Sequence, residues 1–353
     1  MARLPVIITF LTVAIAIFGL GMVGNASVVD ASRDFGYKWY YLRLQSIWMA
    51  IGFGCFFIMS NLKYQKLEKY SLYLFWGTIF LLIIVLIPGI SSKILGARRW
   101  LNFVGVTLQP AELAKLTVSI YLASLLKKTK NNIWSFLIVL GSLSGLIILE
   151  PDLGTMVVIS GMSLITFIGS GGKFLQIVSL VPVIALIGTL LVLVSPYRRE
   201  RLYSYLNYSR DPLGSSYHIR QALLAVGSGG IGGVGLGQSK QKYEFLPEVT
   251  SDSIFAIIAE ETGLIGSTVV IMAFVALIFL GLKVSQNAPD VFGTNLALGI
   301  TSWIGLQALI NIAAMVALVP LTGIPLPLIS YGGSSIVIAL LGLGILVNIS
   351  KQA

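Results

Sequence analysis

The 353-residue chain contains one cysteine, one histidine and only 14 acidic residues. A lone cysteine, Cys55 within an apolar run, excludes a disulfide framework and any metal centre built from cysteines. A lone histidine, His218, excludes zinc sites that need several imidazoles. Charged residues make up 11% of the chain, too few to solvate a soluble protein of this length. The net charge of +10 does not gather into a soluble basic patch, because the cations interrupt apolar stretches. This argues against nucleic acid as a partner and for anionic headgroups or a phosphorylated lipid.

Hydrocarbon fills the chain instead. It is 56% hydrophobic, its mean hydropathy is +0.90, and apolar runs of about 20 residues, the length that crosses a bilayer, recur along it. Ten spans fit: about 4–24, 43–61, 70–89, 110–126, 133–149, 153–171, 174–195, 253–282, 292–317 and 331–349. The first run is longer than a secretory signal core and reads as a retained transmembrane helix. No linker, composition shift or internal repeat divides the chain. The expectation is an all-α integral membrane protein: one polytopic domain, 1–353, with ten transmembrane helices and a large extracytoplasmic loop, 196–252, between spans 7 and 8.

The cluster Lys63, Lys66 and Lys69 and the cluster Lys127, Lys128 and Lys130 place their loops in the cytoplasm, and an even number of spans puts both termini there. The outward segments nevertheless carry Arg98, Arg99, Arg198, Arg199, Arg201, Arg210, Arg220, Lys240 and Lys242. Long translocated loops escape the charge rule, but Arg98-Arg99 lies in a short one, and that exception favours function. Two adjacent guanidiniums beside Trp100 suit bidentate phosphate binding; an arginine pair snorkelling over an aromatic belt is the plainer reading.

Glu112 and Lys115 are three apart behind Pro110, on one helical face, so they can pair. Buried charges are costly in a membrane, so the pair reads as facing an internal polar cavity, with a structural ion pair as the alternative. In Glu150-Pro151-Asp152-Leu153-Gly154-Thr155, Pro151 breaks a helix and Asp152 can cap the next one through the Gly154 or Thr155 amide. The run Gly227 to Gly237 formally contains G-x-G-x-x-G, but no strand precedes it. Tight turns and close backbone approach to a ligand are the better reading. His218, in this loop, reads as a hydrogen-bonding side chain before a base.

The strip Leu246-Pro247-Glu248-Val249-Thr250-Ser251-Asp252-Ser253 ends the large loop at a water–lipid boundary. Asp252 suits a helix N-cap, yet Glu248, the Glu260-Glu261 pair and the basic loops keep it unusual company. The turn Leu321 to Ser335 brings Ser330, Tyr331 and Gly332-Gly333 to the same side, to approach a headgroup or to pack helices.

Five blocks stand in one order: G-A-R-R-W-L, Q-P-A-E-L-A-K-L, E-P-D-L-G-T, L-P-E-x-x-S-D-x-I-F-A and P-L-P-x-I-S-Y-G-G-S-S. Together, over essentially the whole chain, they resemble the SEDS family of cell-wall polymerases (shape, elongation, division and sporulation proteins). The stretch Gly235 to Lys242 is more similar to the division-type FtsW branch than to the elongation-type RodA branch.

The resemblance implies an inverting peptidoglycan glycosyltransferase in the bacterial cytoplasmic membrane at the division septum. It would polymerise lipid II at the outer face and release undecaprenyl pyrophosphate. A lipid II flippase and an elongation-type polymerase are the alternatives. Asp252 matches the family's essential loop acid, and Arg98, Glu112 and Lys115 match other functional positions. With these, Arg99, Glu248, Arg210, Lys242, Ser330 and Tyr331 complete the set of substrate-binding candidates. The family commonly has threonine and phenylalanine around the aspartate. Here Ser251 keeps the hydroxyl and Ser253 loses the aromatic contact. The implied partners are lipid II, a cognate class B penicillin-binding protein, other divisome membrane proteins and membrane lipids. A divalent cation, magnesium or manganese, is implied as an aid, without a closed metal site in the sequence.

Overall fold

The computed structural model describes residues 3–94, 97–103, 106–129, 132–206, 216–243 and 245–353. The elements follow as helices α1 (Leu4–Ala26), α2 (Val28–Phe35), α3 (Tyr40–Asn61) and α4 (Gln65–Leu86), then strands β1 (Ser91–Ile94), β2 (Ala97–Phe103) and β3 (Val106–Leu108). Next come α5 (Pro110–Thr129), α6 (Ile133–Leu149), α7 (Leu153–Gly169), α8 (Phe174–Val194), α9 (Pro196–Leu206) and α10 (Tyr217–Ser228). Last are α11 (Ile254–Asn287), α12 (Val291–Met315) and α13 (Gly333–Gln352). A helix falls on each of the ten apolar segments. Among the described residues, α1, α3, α4, α11, α12 and α13 are long and apolar enough to cross a membrane, and α6 and α7 are apolar but shorter.

The expectation of an all-helical chain needs one correction. Residues 91–108 form a three-stranded antiparallel sheet, in the order β1-β2-β3. Hydropathy sees this segment only as a gap between spans, whereas strand pairing satisfies its backbone outside the hydrocarbon. Arg99 stands at an irregularity in the register of β2: Ser92 pairs with Trp100 and Lys93 with Arg98, which leaves Arg99 as the extra residue of a β-bulge. Within 196–252, the described residues include α9 and α10, followed by turns up to Asp252.

At the centre lies α12, buried along most of its length and packed against α5, α7 and α11. α13 packs on α3 and α1. α11 is not one continuous rod: Gly263 breaks it, with φ 66° and ψ −162°. A break leaves helix amides and carbonyls without partners, which is costly in a membrane. The glycine-rich segment supplies those partners. Val234 N donates to Glu260 O at 3.0 Å and Gly235 N to Glu261 O at 3.1 Å. On the far side of the break, Leu264 N donates to Gly230 O at 2.9 Å and Ile265 N to Ile231 O at 3.2 Å.

Gly233, at φ 81°, lies against the Glu261 carbonyl, where a side chain would overlap backbone. The close backbone approach expected of this run is therefore to α11 itself.

Candidate active site

Asp252 precedes α11 by two residues and faces a cavity of 160 Å³. Arg201 and Ser204 of α9, His218 and Ile219 of α10, Asn311 of α12 and the turn Leu321 to Ile324 line the rest of it. The strip carrying Asp252 is pinned from several sides. Leu246 and Val249 are buried, and Glu248, at φ 52°, turns the chain so that its carbonyl accepts from Ser251 N at 3.2 Å and Ser253 N at 3.1 Å. Tyr331 N donates to Thr250 O at 2.8 Å, and the Ser330 hydroxyl donates to Ser251 O. Ser330 and Tyr331, expected at a headgroup, thus hold this strip in place through polar contacts with its backbone.

Asp252 does not cap α11. Ser253 occupies the N-cap position, and its hydroxyl donates back to Pro247 O at 2.9 Å. Since that proton is committed, His218 Nε2, 2.8 Å from the Ser253 hydroxyl, must be the donor of their bond. Burial, helped by the nearby Arg201 cation, pushes the His218 imidazole down to about 4, so it is neutral around pH 7. It braces the loop.

The Asp252 carboxyl behaves oppositely. Burial, then the Glu248 charge, push it up to about 7, with Arg201 pulling against them, Asp152 adding to the rise and Arg99 opposing it. Glu248 itself is exposed and accepts from the Ser251 hydroxyl at 2.8 Å.

Arg99 Nε donates to Glu150 O at 3.1 Å, and its Nη2 reaches Pro151 O. Arg99 therefore anchors the corner between α6 and α7. Asp152 caps α7 as its sequence suggests, accepting from Thr155 N at 3.1 Å. Glu150 is fully buried, with neither carboxyl oxygen hydrogen-bonded. Burial, then Asp152, push it up to about 9 against the pull of Arg99, so it is a neutral acid at pH 7.

Other expected site residues lie elsewhere. Lys242 is buried, and its ammonium donates to Gly237 O at 2.6 Å, Asn25 Oδ1 at 2.9 Å and Glu261 Oε1 at 3.1 Å. All three donors are used, which leaves none for a substrate. Glu260 and Glu261 gather backbone amides of residues 237–241 and fasten the glycine-rich segment to α11. They do not extend the acidic character of the cavity. Glu112 and Lys115 pair at 2.6 Å, deeply buried in α5. Arg210 lies outside the described residues. Arg201, His218 and Asn311 line the cavity without having been singled out as substrate contacts by sequence. Arg201 stands among many loop cations, and Asn311 sits within an apolar run with no charge to flag it.

Among the described residues, no three carboxylate, imidazole or thiol groups converge as metal ligands.

A polytopic helical membrane protein with a buried acid and an arginine at one cavity defines the class. The chain matches the FtsW/RodA/SpoVE cell cycle protein family over residues 5–353, and it belongs to that family. It is 40% identical to stage V sporulation protein E of Bacillus subtilis over 358 aligned positions, covering 99% of this chain and 97% of the relative. It is 36% identical to a probable peptidoglycan glycosyltransferase FtsW of Geobacter metallireducens, over 99% of this chain and 95% of that protein. Among solved structures, a chain of a peptidoglycan synthase complex that coordinates polymerization and crosslinking aligns with a TM-score of 0.79. The two are 26% identical, over 98% of this chain and 96% of the other. The rod shape determining protein RodA of Thermus thermophilus shares the fold, with a TM-score of 0.71 at 24% identity over 98% and 96% of the two chains.

Proposed function

We propose that this chain is a peptidoglycan glycosyltransferase that joins lipid II units into glycan strands at the outer face of the cytoplasmic membrane. The observation that carries the reading is Asp252: a carboxyl pushed up to about 7, set beside Arg201 in one cavity. A general base works best when its pKa lies near the operating pH, and such a base contributes about 10²–10⁴ in rate.

The acceptor GlcNAc 4-hydroxyl attacks C1 of the donor MurNAc from the side opposite the lipid pyrophosphate. The new O–C1 bond forms as the C1–pyrophosphate oxygen bond breaks, with inversion at C1. Asp252 takes the hydroxyl proton, and undecaprenyl pyrophosphate leaves with the bonding pair. Arg201, a neighbour of Asp252 across the cavity, offsets the growing negative charge, assisted at longer range by Arg98 and Arg99. His218 stays neutral, so it does not compete with Asp252 for that proton.

The relatives named FtsW support the division-type branch and with it a place at the septum, and the likeness to a chain of a peptidoglycan synthase complex supports a crosslinking partner such as a class B penicillin-binding protein. The positive loops support cytoplasmic termini. The buried Glu112–Lys115 pair favours a second reading, a lipid II flippase, since charges inside a helical bundle also suit alternating access. Purified full-length protein with its cognate transpeptidase and labelled lipid II separates the two. A polymerase loses glycan synthesis in Asp252→Asn. Glycan chains made at the wild-type rate by that variant sink the assignment.

A further inference from the structure

Gln307 and Asn311 stand four residues apart on one face of α12. Gln307 Oε1 accepts from Lys115 Nζ at 2.7 Å and from Trp303 Nε1 at 2.8 Å. Two donors on that oxygen fix the orientation of the amide, and its Nε2 donates to Pro325 O at 2.9 Å. Asn311 Nδ2 spends both of its protons nearby, on Ile324 O and on Asp252 O, each at 2.8 Å. The two amides therefore clamp the adjacent residues Ile324 and Pro325, and one also holds the main chain of Asp252. Gly323, the next residue, is in the left-handed region at φ 73° and lies against the Asp252 carboxylate.

Behind Gln307 is the Glu112–Lys115 pair, both side chains at most 2% exposed. A buried pair that serves only stability is replaceable by apolar side chains of similar volume. Here the ammonium does something an apolar group cannot: it fixes the orientation of Gln307 through a charge-assisted hydrogen bond. An unbroken series of contacts thus runs from the middle of the helical bundle to the backbone of Asp252.

We propose that the Glu112–Lys115 pair, acting through Gln307 and Asn311, holds the Ile324–Pro325 turn and Asp252 in register, so that both amides are positioning residues for the reaction. The proposal rests on the reading of Asp252 as the base. Loss of the clamp displaces the acid, and a misplacement of about 1 Å costs up to about a hundredfold in rate.

The test uses the purified full chain with its cognate transpeptidase and fluorescent lipid II. It compares Gln307→Met, Asn311→Leu and the double variant Glu112→Met with Lys115→Met, each checked for folding by thermal melting. Expected are a fall in kcat of about tenfold or more with KM nearly unchanged, and a shift of the acid limb of the rate–pH profile to lower pH as water reaches Asp252. Lys115→Arg, which keeps a cationic donor, should recover part of kcat.

Wild-type kcat and an unmoved limb in the double variant overturn the proposal. So does a rise in KM with the limb unmoved, which makes the pair a substrate contact. Loss of folded protein with no change in the limb makes it a scaffold and overturns it too. Asp252→Asn distinguishes the remaining failures: full activity in that variant removes the base and this proposal together. An inactive Asp252→Asn beside unaffected amide variants removes the proposal alone.

Discussion

Removing the charge of Asp252 should stabilise the protein while it abolishes activity. An ordinary aspartate ionises near 3.8, and Asp252 is pushed up to about 7 by burial and by Glu248. At 1.36 kcal/mol per pH unit, that difference sets an upper bound of about 4 kcal/mol on the destabilisation caused by the ionised carboxylate, reduced by whatever solvent screening the open cavity allows. Because the folded-state value is raised, stability is greatest at low pH and is lost as pH rises from about 4 through 7, with no further loss above.

Asn has no charge to desolvate, so the gap in stability between Asp252→Asn and wild type should widen across that window and then level off. Thermal or denaturant unfolding of the two purified proteins at matched pH values between 4 and 9 measures it, and taking the difference cancels other titrating groups such as Glu150. The companion measurement is the wild-type rate, which should climb about tenfold per pH unit below 7 and flatten above. A gap that stays constant with pH, or an Asp252→Asn protein less stable than wild type at pH 8, refutes the claim that the acid is held at an energetic cost.

Arg201→Gln removes the largest influence that holds the Asp252 pKa down, so the acid limb of the rate–pH profile should move to higher pH as the maximal rate falls. Lys242→Met strands Glu261 as a buried unpaired charge and should cost about 3–5 kcal/mol in unfolding measurements, whereas Lys240, exposed at its side chain, should tolerate the same change. Gly263→Ala forces a side chain into left-handed backbone at the α11 break, at about 1–3 kcal/mol of strain, and also into the Gly233 amide. Faster protease cleavage between residues 229 and 242 would report the loosened segment.

The parts legible in sequence are those set by short-range rules. The i,i+3 spacing of Glu112 and Lys115 gives their pairing, and Asp152 after Pro151 gives the cap on α7. Apolar run length locates the ten helices that carry the bundle. The sheet at 91–108 is not legible because hydropathy registers only that hydrocarbon is missing there, and the irregular register that leaves Arg99 unpaired is hidden with it. The roles of Lys242 and Glu260-Glu261 are hidden for a different reason. A charge near a boundary looks the same in sequence whether it meets substrate or its own chain, and here the partners are Asn25 and a loop some 20 residues earlier. Gln307 and Asn311 carry no charge and no local motif. Their importance lies in bonds to Lys115, Asp252 and the 324–325 turn, which only the fold brings near.

The break in α11 also sets an order of assembly. The four backbone bonds that fasten residues 230–235 are made to residues 260–265, which the ribosome adds later. Until those residues emerge, the glycine-rich segment has no partners, and Gly233 and Gly235 keep the freedom to wander that glycine brings to an unfolded chain. The strip bearing Asp252 lies between the two halves of this joint, and Asn311 and the 321–324 turn, which complete its cavity, emerge later still. During biosynthesis, the helices before α8 can therefore pack before Asp252 is enclosed. The cavity around Asp252 is thus completed only when α12 and the 321–324 turn follow.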